Sequence, residues 1–207
     1  MTKFRIFLDF RKEEKWLEGL AAQGWTLKKK NILYKFESSP PKQANIKIDY
    51  RVFKKGRDFI DYLTLFEDSG WRHIAGTKSS GTQYFMQAGT NCEEDIFSDA
   101  ASRVGRYKRA SNVMLSGVIA FLPLFIISVQ NSTSGLDAFL NPKALYYTPG
   151  LWELSGTEFW GAFLFETPFA LGRGFAWILA PLLFVVYVFL AIKSWLIYKH
   201  ALKTDIN

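Results

Sequence analysis

The sequence predicts a basic α+β domain followed by a two-helix transmembrane anchor. Residues 1–110 hold 21 of the 26 basic and 14 of the 19 acidic residues, and apolar positions recur every few residues between them, as in a folded domain. The rest of the chain contains two charge-free apolar runs, at 113–129 and 174–192. A bilayer core about 30 Å thick is crossed by roughly 17–25 helical residues, so each run is long enough to span a membrane.

The first half of the chain contains one pattern twice. The segments FLDF, KWLEGLAAQGW and ILYKF within residues 7–37 correspond to IDYR, RDFIDYLTLFEDSGW and QYFM within residues 48–86. Each copy begins with alternating apolar and polar residues, which are typical of a strand, and the first strand is predicted over residues 4–10. Apolar residues at helical spacing follow. Each helix is predicted to end at a glycine before a tryptophan, because glycine adopts the left-handed conformation without strain. Two strands joined by a polar turn complete each copy.

This pattern is a strand-helix-strand-strand unit that occurs twice within residues 1–92. One copy alone would leave a face of its small sheet exposed, so pairing two copies buries both faces. We therefore predict an α+β fold with a mostly antiparallel sheet of about six strands and two helices on one face. The duplicated unit resembles, in its architecture, GyrI-like drug-binding domains, in which the cleft between copies holds apolar ligands.

The second half of the chain is predicted to consist of a linker and two membrane spans. A helical linker over 93–112 has acidic residues in its first turn and basic residues in its last, which suits the helix dipole at both ends. It leads into the first transmembrane helix at 113–130. An aromatic extracytoplasmic loop at 131–173 precedes the second transmembrane helix at 174–198, and a short cytoplasmic tail at 199–207 follows.

The basic residues predict the orientation of these spans. Lys and Arg residues precede the first apolar run and follow the second, whereas the loop between the runs is net negative. Both termini are therefore expected on the cytoplasmic side of a bacterial plasma membrane. The densest basic cluster directly precedes the first run and consists of Arg103, Arg106, Lys108 and Arg109. We predict that it contacts anionic lipid headgroups, each residue contributing about 1 kcal/mol. The expected partner is therefore the lipid bilayer rather than nucleic acid.

The sequence contains no recognisable catalytic grouping. Cys92 is the sole cysteine, which excludes an internal disulfide and a cysteine-based metal site. No Ser, His and acid grouping has a familiar spacing, and GTKSSG at 76–81 lacks the pattern of a phosphate-binding loop. We expect a protein without enzyme activity, cofactor or metal.

Two aspartates occupy equivalent places in the two copies. Asp9 directly precedes the aromatic residue Phe10, and Asp49 directly precedes Tyr50. Paired carboxylates could bind a ligand between the copies. Alternatively, each aspartate caps the following helix or pairs with the neighbouring Arg11 or Arg51.

Three tryptophans have two interpretations of the same kind. Trp16, Trp25 and Trp71 could pack in the core, as large aromatic residues usually do. They could instead line an apolar cleft between the copies. The candidate ligand-binding residues are therefore Asp9, Trp16, Trp25, Asp49, Tyr50 and Trp71.

The chain resembles a bacterial family catalogued as domain of unknown function 2812. The resemblance covers residues 4–110 and rests on FLDFRKEEKWLEGLAAQGW, IDYR, LFEDSGWRHI, the QYF strand and IFSDAASRVGRYKR. The matching positions are Phe7, Phe10, Glu13, Glu14, Trp16, Gly24, Tyr34, Phe36, Asp49, Tyr50, Asp68, Gly70, Trp71, Tyr84 and Phe85. Two-helix anchors are common in the family. Its members are often encoded beside PadR-type transcription regulators, which implies a signalling or regulatory role.

These observations favour a non-enzymatic, two-pass membrane protein whose cytoplasmic domain senses or transmits a signal by binding a protein partner. Neither apolar run carries an ionisable residue at its centre, where an ion or proton pathway would need one. An alternative is a module that binds an apolar small molecule at the membrane. A further alternative is an accessory subunit of a transporter.

Overall fold

A computed structural model of the chain describes residues 1–89, 95–130 and 141–205. These residues form two compact units. The first consists of Met1–Asn112 and the described part of Lys193–Asn207, and the second is Val113–Ile192. The strands are β1 (Thr2–Lys3), β2 (Trp25–Lys30), β3 (Tyr34–Ser38), β4 (Ile46–Tyr50), β5 (Trp71–Ala75) and β6 (Thr82–Gln87). The helices are α1 (Phe10–Ala22), α2 (Gly56–Asp68), α3 (Ala100–Gln130) and α4 (Gly156–Asp205), with short 3-10 helices at Pro142–Leu145 and Leu151–Glu153.

The first unit has the predicted α+β architecture, and the same topology occurs twice in it. Its strands form two antiparallel three-stranded sheets, ordered β1-β3-β2 and β4-β6-β5, so the third strand of each copy is central in both sheets. The central strands β3 and β6 are therefore equivalent. Helices α1 and α2 each contain 13 residues and precede the second strand of their copy.

The prediction of one continuous six-stranded sheet is wrong. Strands β2 and β5 lie beside each other, but no ladder joins them among the described residues. Each of these two strands has an irregular register against its own central strand, between Leu27 and Lys29 in β2 and between His73 and Ala75 in β5. A bulge of this kind disrupts the ladder locally and increases the twist of the strand.

The predicted first strand over residues 4–10 is also wrong. The contact with β3 is made by Met1, Thr2 and Lys3 rather than by residues 4–10, and α1 already begins at Phe10. Asp9 is the N-cap of α1, where its side chain accepts a hydrogen bond from the backbone N–H of Arg11 at 3.0 Å. Because Phe4 and Ile6 remain exposed, alternation in this segment does not reflect a buried sheet face.

The glycines after the two helices have the predicted left-handed conformation. Gly24 and Gly70 both have φ of 83° and directly precede β2 and β5. At Gly24 an added Cβ would lie only 2.8 Å from the carbonyl oxygen of Ser39. The backbone at this turn therefore depends on glycine in both copies, and in the first copy also on the space that glycine leaves.

The described residues of the first unit form two hydrophobic cores. The larger core joins the buried face of α1 to strands of both sheets and to Val104 and Tyr107 of α3. Ala201 near the end of α4 is buried in the same core, within the segment predicted as a tail. The smaller core surrounds Tyr62, Trp71 and Phe85 and packs against α2.

Helices α3 and α4 are long and apolar enough to cross a membrane. Their most apolar windows have a mean hydropathy of 2.2 and 2.6, and none of the described residues in those windows is buried. Helix α4 begins at Gly156, within the segment predicted as a loop. Glu166 and Arg173 form an ion pair two turns apart along α4. Residues 93–94 of the predicted linker and 131–140 of the predicted loop lie outside the described residues.

Replacing Gly24 should destabilise the first unit. Gly24→Ala would force a Cβ into the left-handed region and against Ser39, so we expect the free energy of unfolding to fall by about 1–3 kcal/mol. Chemical denaturation of the full chain in detergent, followed by circular dichroism, measures this change.

The matched control is Gly19→Ala in α1. Gly19 is exposed and helical, and no described heavy atom lies within 4 Å of a Cβ built there. Since alanine is favoured over glycine inside a helix by roughly 0.5–1 kcal/mol, this variant should be slightly more stable than the wild type. Equal effects of the two substitutions would contradict the assigned turn.

Candidate functional site

The two predicted aspartates have structural partners and do not form one carboxylate pair. Asp9 caps α1 and accepts a hydrogen bond from the hydroxyl of Tyr107 at 3.2 Å. Asp49 is buried in β4, and its Oδ2 accepts a hydrogen bond from the hydroxyl of Tyr62 at 2.9 Å. Each aspartate therefore contacts a tyrosine of a different helix.

The predicted aromatic residues are distributed over both cores. Trp71 is fully buried in the smaller core, and Trp25 packs at the edge of the larger one. Tyr50 lies against Phe10, with 6.2 Å between ring centroids. Trp16 differs from these residues because it packs edge-on against Tyr34 at 4.9 Å, and Tyr34 lines a cavity between the copies.

This cavity has a volume of about 400 Å³ and a carboxylate in its wall. Glu13 of α1 is 3% exposed and lines the cavity together with Tyr34 of β3 and Tyr84 of β6. The hydroxyls of Tyr34 and Tyr84 donate hydrogen bonds of 2.6 and 2.7 Å to the same oxygen, Glu13 Oε1. Because β3 and β6 are the equivalent central strands, this carboxylate joins the two copies of the repeat.

Burial determines the acid-base properties of this group. Loss of water raises the pKa of Glu13, although the hydrogen bonds from the two tyrosines oppose that rise. Burial also raises the pKa of Tyr34 and of Tyr84, and the adjacent charge of Glu13 raises both further. The tyrosines therefore remain protonated donors.

The next residue along α1 makes a different buried contact. Glu14 Oε1 accepts a hydrogen bond from the backbone N–H of Ile48 in β4 at 2.9 Å and forms an ion pair with Arg106 of α3. Burial raises the pKa of Glu14, and the charge of Arg106 opposes this rise. Arg106 is 2% exposed and donates a second hydrogen bond of 2.6 Å to the carbonyl oxygen of Ile48. Helices α1 and α3 are thus joined through β4.

The Arg106 guanidinium is enclosed by aromatic rings. Its Cζ lies 5.1–5.4 Å from the ring centroids of Phe10, Phe97 and Tyr107. Its Nε has no hydrogen-bond partner among the described residues. Cation–π contacts therefore supply part of the stabilisation that water would give an exposed guanidinium.

A second arginine of α3 binds the same strand one turn further along. Arg109 donates hydrogen bonds of 2.6 Å to Asp49 Oδ1 and 2.5 Å to the carbonyl oxygen of Tyr50. Arginine suits such contacts because its planar guanidinium presents several donors at once. Together Arg106 and Arg109 attach α3 to both ends of the segment from Ile48 to Tyr50.

The prediction that Arg106 contacts the membrane surface is wrong, because its side chain is buried in an ion pair. Arg103 and Arg109 are partly exposed and pair with Asp95 and Asp49, respectively, whereas Lys108 is exposed. The prediction of surface contact is retained for these three residues. Sequence position next to an apolar run does not reveal which helical face a basic residue occupies.

A family comparison covers all of these contacts. A family model described as "Protein of unknown function (DUF2812)" matches residues 9–119. The chain belongs to this family. No curated protein and no solved structure matches the chain.

The DUF2812 match includes the second repeat, the first repeat except β1, and the first two thirds of α3, with Arg106 and Arg109. It therefore spans the whole buried polar network. The sequence analysis did not identify Glu13 and Glu14 as site residues. A signal was present, because both lie on the α1 face formed by Phe10, Leu17 and Leu20, where an unpaired carboxylate would be costly.

The arrangement is suited to binding and attachment. Within the described ranges no group of three or more His, Cys, Asp or Glu side chains could hold a metal ion. His73 bonds Gln83 at 3.1 Å, and burial lowers its pKa. The DUF2812 domain instead presents one carboxylate to a cavity and a second carboxylate to α3.

Proposed function

We propose that the protein is a non-enzymatic, two-span membrane protein whose DUF2812 domain senses or transmits a signal in the bacterial cytoplasm. The observation that carries the proposal is the attachment of α3. This helix places Arg106 and Arg109 in buried or half-buried contacts with β4 and continues to Gln130 as one of the two apolar helices. Any displacement along α3 would act directly on buried groups of the domain.

The second unit supports a role for α3 and α4 as membrane spans. Their rings stack pairwise, with 5.3 Å between the centroids of Phe121 and Tyr187 and 4.4 Å between those of Phe125 and Phe184. A Cβ at Gly117 would overlap the ring of Tyr187, so the helices approach closely there. Close approach at a small residue is typical of helix pairs in membranes, where packing rather than burial from water drives association.

The distribution of charge supports the plasma-membrane orientation. Lys193, Lys199 and Lys203 follow the second apolar run, and the basic part of α3 precedes the first. Both of these basic segments would therefore remain in the cytoplasm with the DUF2812 domain, together with a protein partner such as a PadR-type regulator. In this proposal a change in the bilayer or in the outer segment shifts α3, and β4 transmits the shift to the partner-binding surface.

A second candidate function is small-molecule binding by the DUF2812 domain. The observation that favours it is the cavity beside Glu13, which lies between the two copies. The two functions are compatible, since a bound molecule would contact α1, and α1 is joined to α3 through Glu14.

Membrane orientation can be tested by cysteine labelling in intact cells. Cys92→Ser removes the native thiol, and single cysteines then replace the exposed Lys12 in α1 or Glu158 in α4. We expect a membrane-impermeant maleimide to label position 158 in intact cells and position 12 only after lysis, since the two positions lie on opposite sides. Labelling in the reverse pattern, or recovery of the chain without detergent in the soluble fraction, would contradict the proposal.

Transmission through α3 can be tested by hydrogen exchange. Gly117→Leu should push α3 away from Tyr187, and we expect the amides of Ile46–Tyr50 to exchange several-fold faster because α3 is bonded to this strand. Mass spectrometry of the full chain in nanodiscs measures this rate.

The matched control is Gly161→Leu in α4. No described heavy atom lies within 4 Å of a Cβ built at Gly161, so this variant should leave exchange in β4 unchanged. If Gly117→Leu also leaves β4 unchanged, α3 does not transmit a shift and the proposed mechanism fails.

A further inference from the structure

We propose that the cavity beside Glu13 binds a lipophilic organic cation, in which an ammonium or phosphonium centre is carried on an apolar body. The inference rests on the proposed sensory role and names the class of ligand that would be sensed. Four features of the cavity carry it: a buried carboxylate without a close ion-pair partner among the described residues, aromatic faces, an apolar rim, and two side-chain cations that line the same cavity.

The carboxylate of Glu13 makes no ion pair within 4.0 Å among the described residues, and the Lys30 ammonium at the same cavity acts on it only from a greater distance, lowering its pKa. Both tyrosine hydroxyls donate to Oε1, and Oε2 has no hydrogen-bond partner among the described residues. Glu13 also forms no ion pair within the part of the chain that the structure describes, unlike its neighbour Glu14. A buried carboxylate that is hydrogen-bonded through only one of its oxygens and has no close cation is costly, and a bound cation would offset this cost.

Phe7, Tyr34 and Tyr84 line the same cavity as this carboxylate. Phe7 lies 5.3 Å from Trp16 and 6.4 Å from Tyr34, measured between ring centroids, and Tyr34 holds the Glu13 oxygen. The negative faces of such rings attract ammonium groups, especially bulky ones that are weakly hydrated. The ring cluster and the carboxylate therefore favour the same charge.

The chain itself already places cations on these rings. Arg5 lies over Phe7 and Trp16, with Cζ 4.9 and 5.5 Å from the ring centroids. The ammonium of Lys30 lies 4.3 Å from the centroid of Tyr34 and donates a hydrogen bond to the carbonyl oxygen of Asn31. These side chains are long and flexible, and a cation that also fills apolar space could displace them.

The rim of the cavity is apolar and exposed. Phe4, Ile6 and Ile32 line it and are 63%, 72% and 78% exposed. Burial of such side chains by a ligand is favourable because it removes apolar surface from water. A volume of about 400 Å³ is within the range of small-molecule pockets.

The same groups argue against other ligand classes. A hard metal ion requires several oxygen ligands, and among the described residues Glu13 is the one carboxylate that lines the cavity. A neutral apolar molecule would fill the rim and leave the carboxylate without a close cation.

Binding can be tested with benzyltrimethylammonium and its uncharged carbon isostere, neopentylbenzene. The full chain in zwitterionic nanodiscs is titrated by calorimetry. We expect saturable binding of the ammonium. The isostere should bind with an affinity lower by about tenfold or more, since only the cation pairs with Glu13. Glu13→Gln keeps an oxygen acceptor for both tyrosines, and we expect it to reduce binding of the ammonium to the level of the isostere.

Two further variants make the test decisive. Glu37→Gln removes an exposed carboxylate from β3 and should leave binding unchanged. Lys30→Met removes the competing ammonium and should strengthen binding several-fold, even if Glu13→Gln fails to fold. Equal affinity of wild type and Glu13→Gln, unchanged affinity of Lys30→Met, or no saturable binding by the wild type would each overturn the inference. Because the exchange test on β4 uses no ligand, failure here is distinguishable from failure of the proposed transmission.

Discussion

The structure depends on the burial of two adjacent carboxylates in the first turns of α1. Neighbouring residues on a helix point about 100° apart, so Glu13 and Glu14 reach different partners. Glu13 accepts hydrogen bonds from the hydroxyls of Tyr34 and Tyr84, one from each copy of the repeat. Glu14 forms an ion pair with the guanidinium of Arg106 in α3. Because a buried charge must be compensated, these contacts require that both copies and α3 be correctly placed together.

This constraint connects the cavity to the apolar helices. A molecule that pairs with Glu13 alters the electrostatic surroundings of α1, and Glu14 lies on the same helical turn. Arg106 then joins α1 and β4 to α3, while Arg109 adds Asp49 and Tyr50 from the same strand. In the DUF2812 domain the candidate ligand site and the polar contacts of α3 therefore meet at two adjacent residues of α1, and α3 is long and apolar enough to span a membrane.

Local patterns in the sequence predict much of this fold. Helical spacing and the pairs at Gly24 and Gly70 predict α1, α2 and the turns after them, and the two apolar runs predict α3 and α4. Other features depend on contacts between distant residues. Arg106 pairs with Glu14, which lies 92 positions away in the sequence, so local pattern does not reveal this contact. The basic residues next to Arg106 instead led to the prediction that it contacts the membrane surface. The alternation before Asp9 resembled a strand because local pattern does not show whether a pairing partner is available.

The most direct test of this account is a double-mutant cycle on the free energy of unfolding of the full chain, with Glu14→Gln and Arg106→Met. The pair is buried, so we expect a coupling energy of at least about 1.5 kcal/mol, with Arg106→Met alone costing roughly 3–5 kcal/mol. The Asp95–Arg103 pair, whose side chains are 25% and 34% exposed, should give a coupling below about 1 kcal/mol. Additive effects of the Glu14 and Arg106 substitutions, within about 0.5 kcal/mol, would contradict the central role of this ion pair.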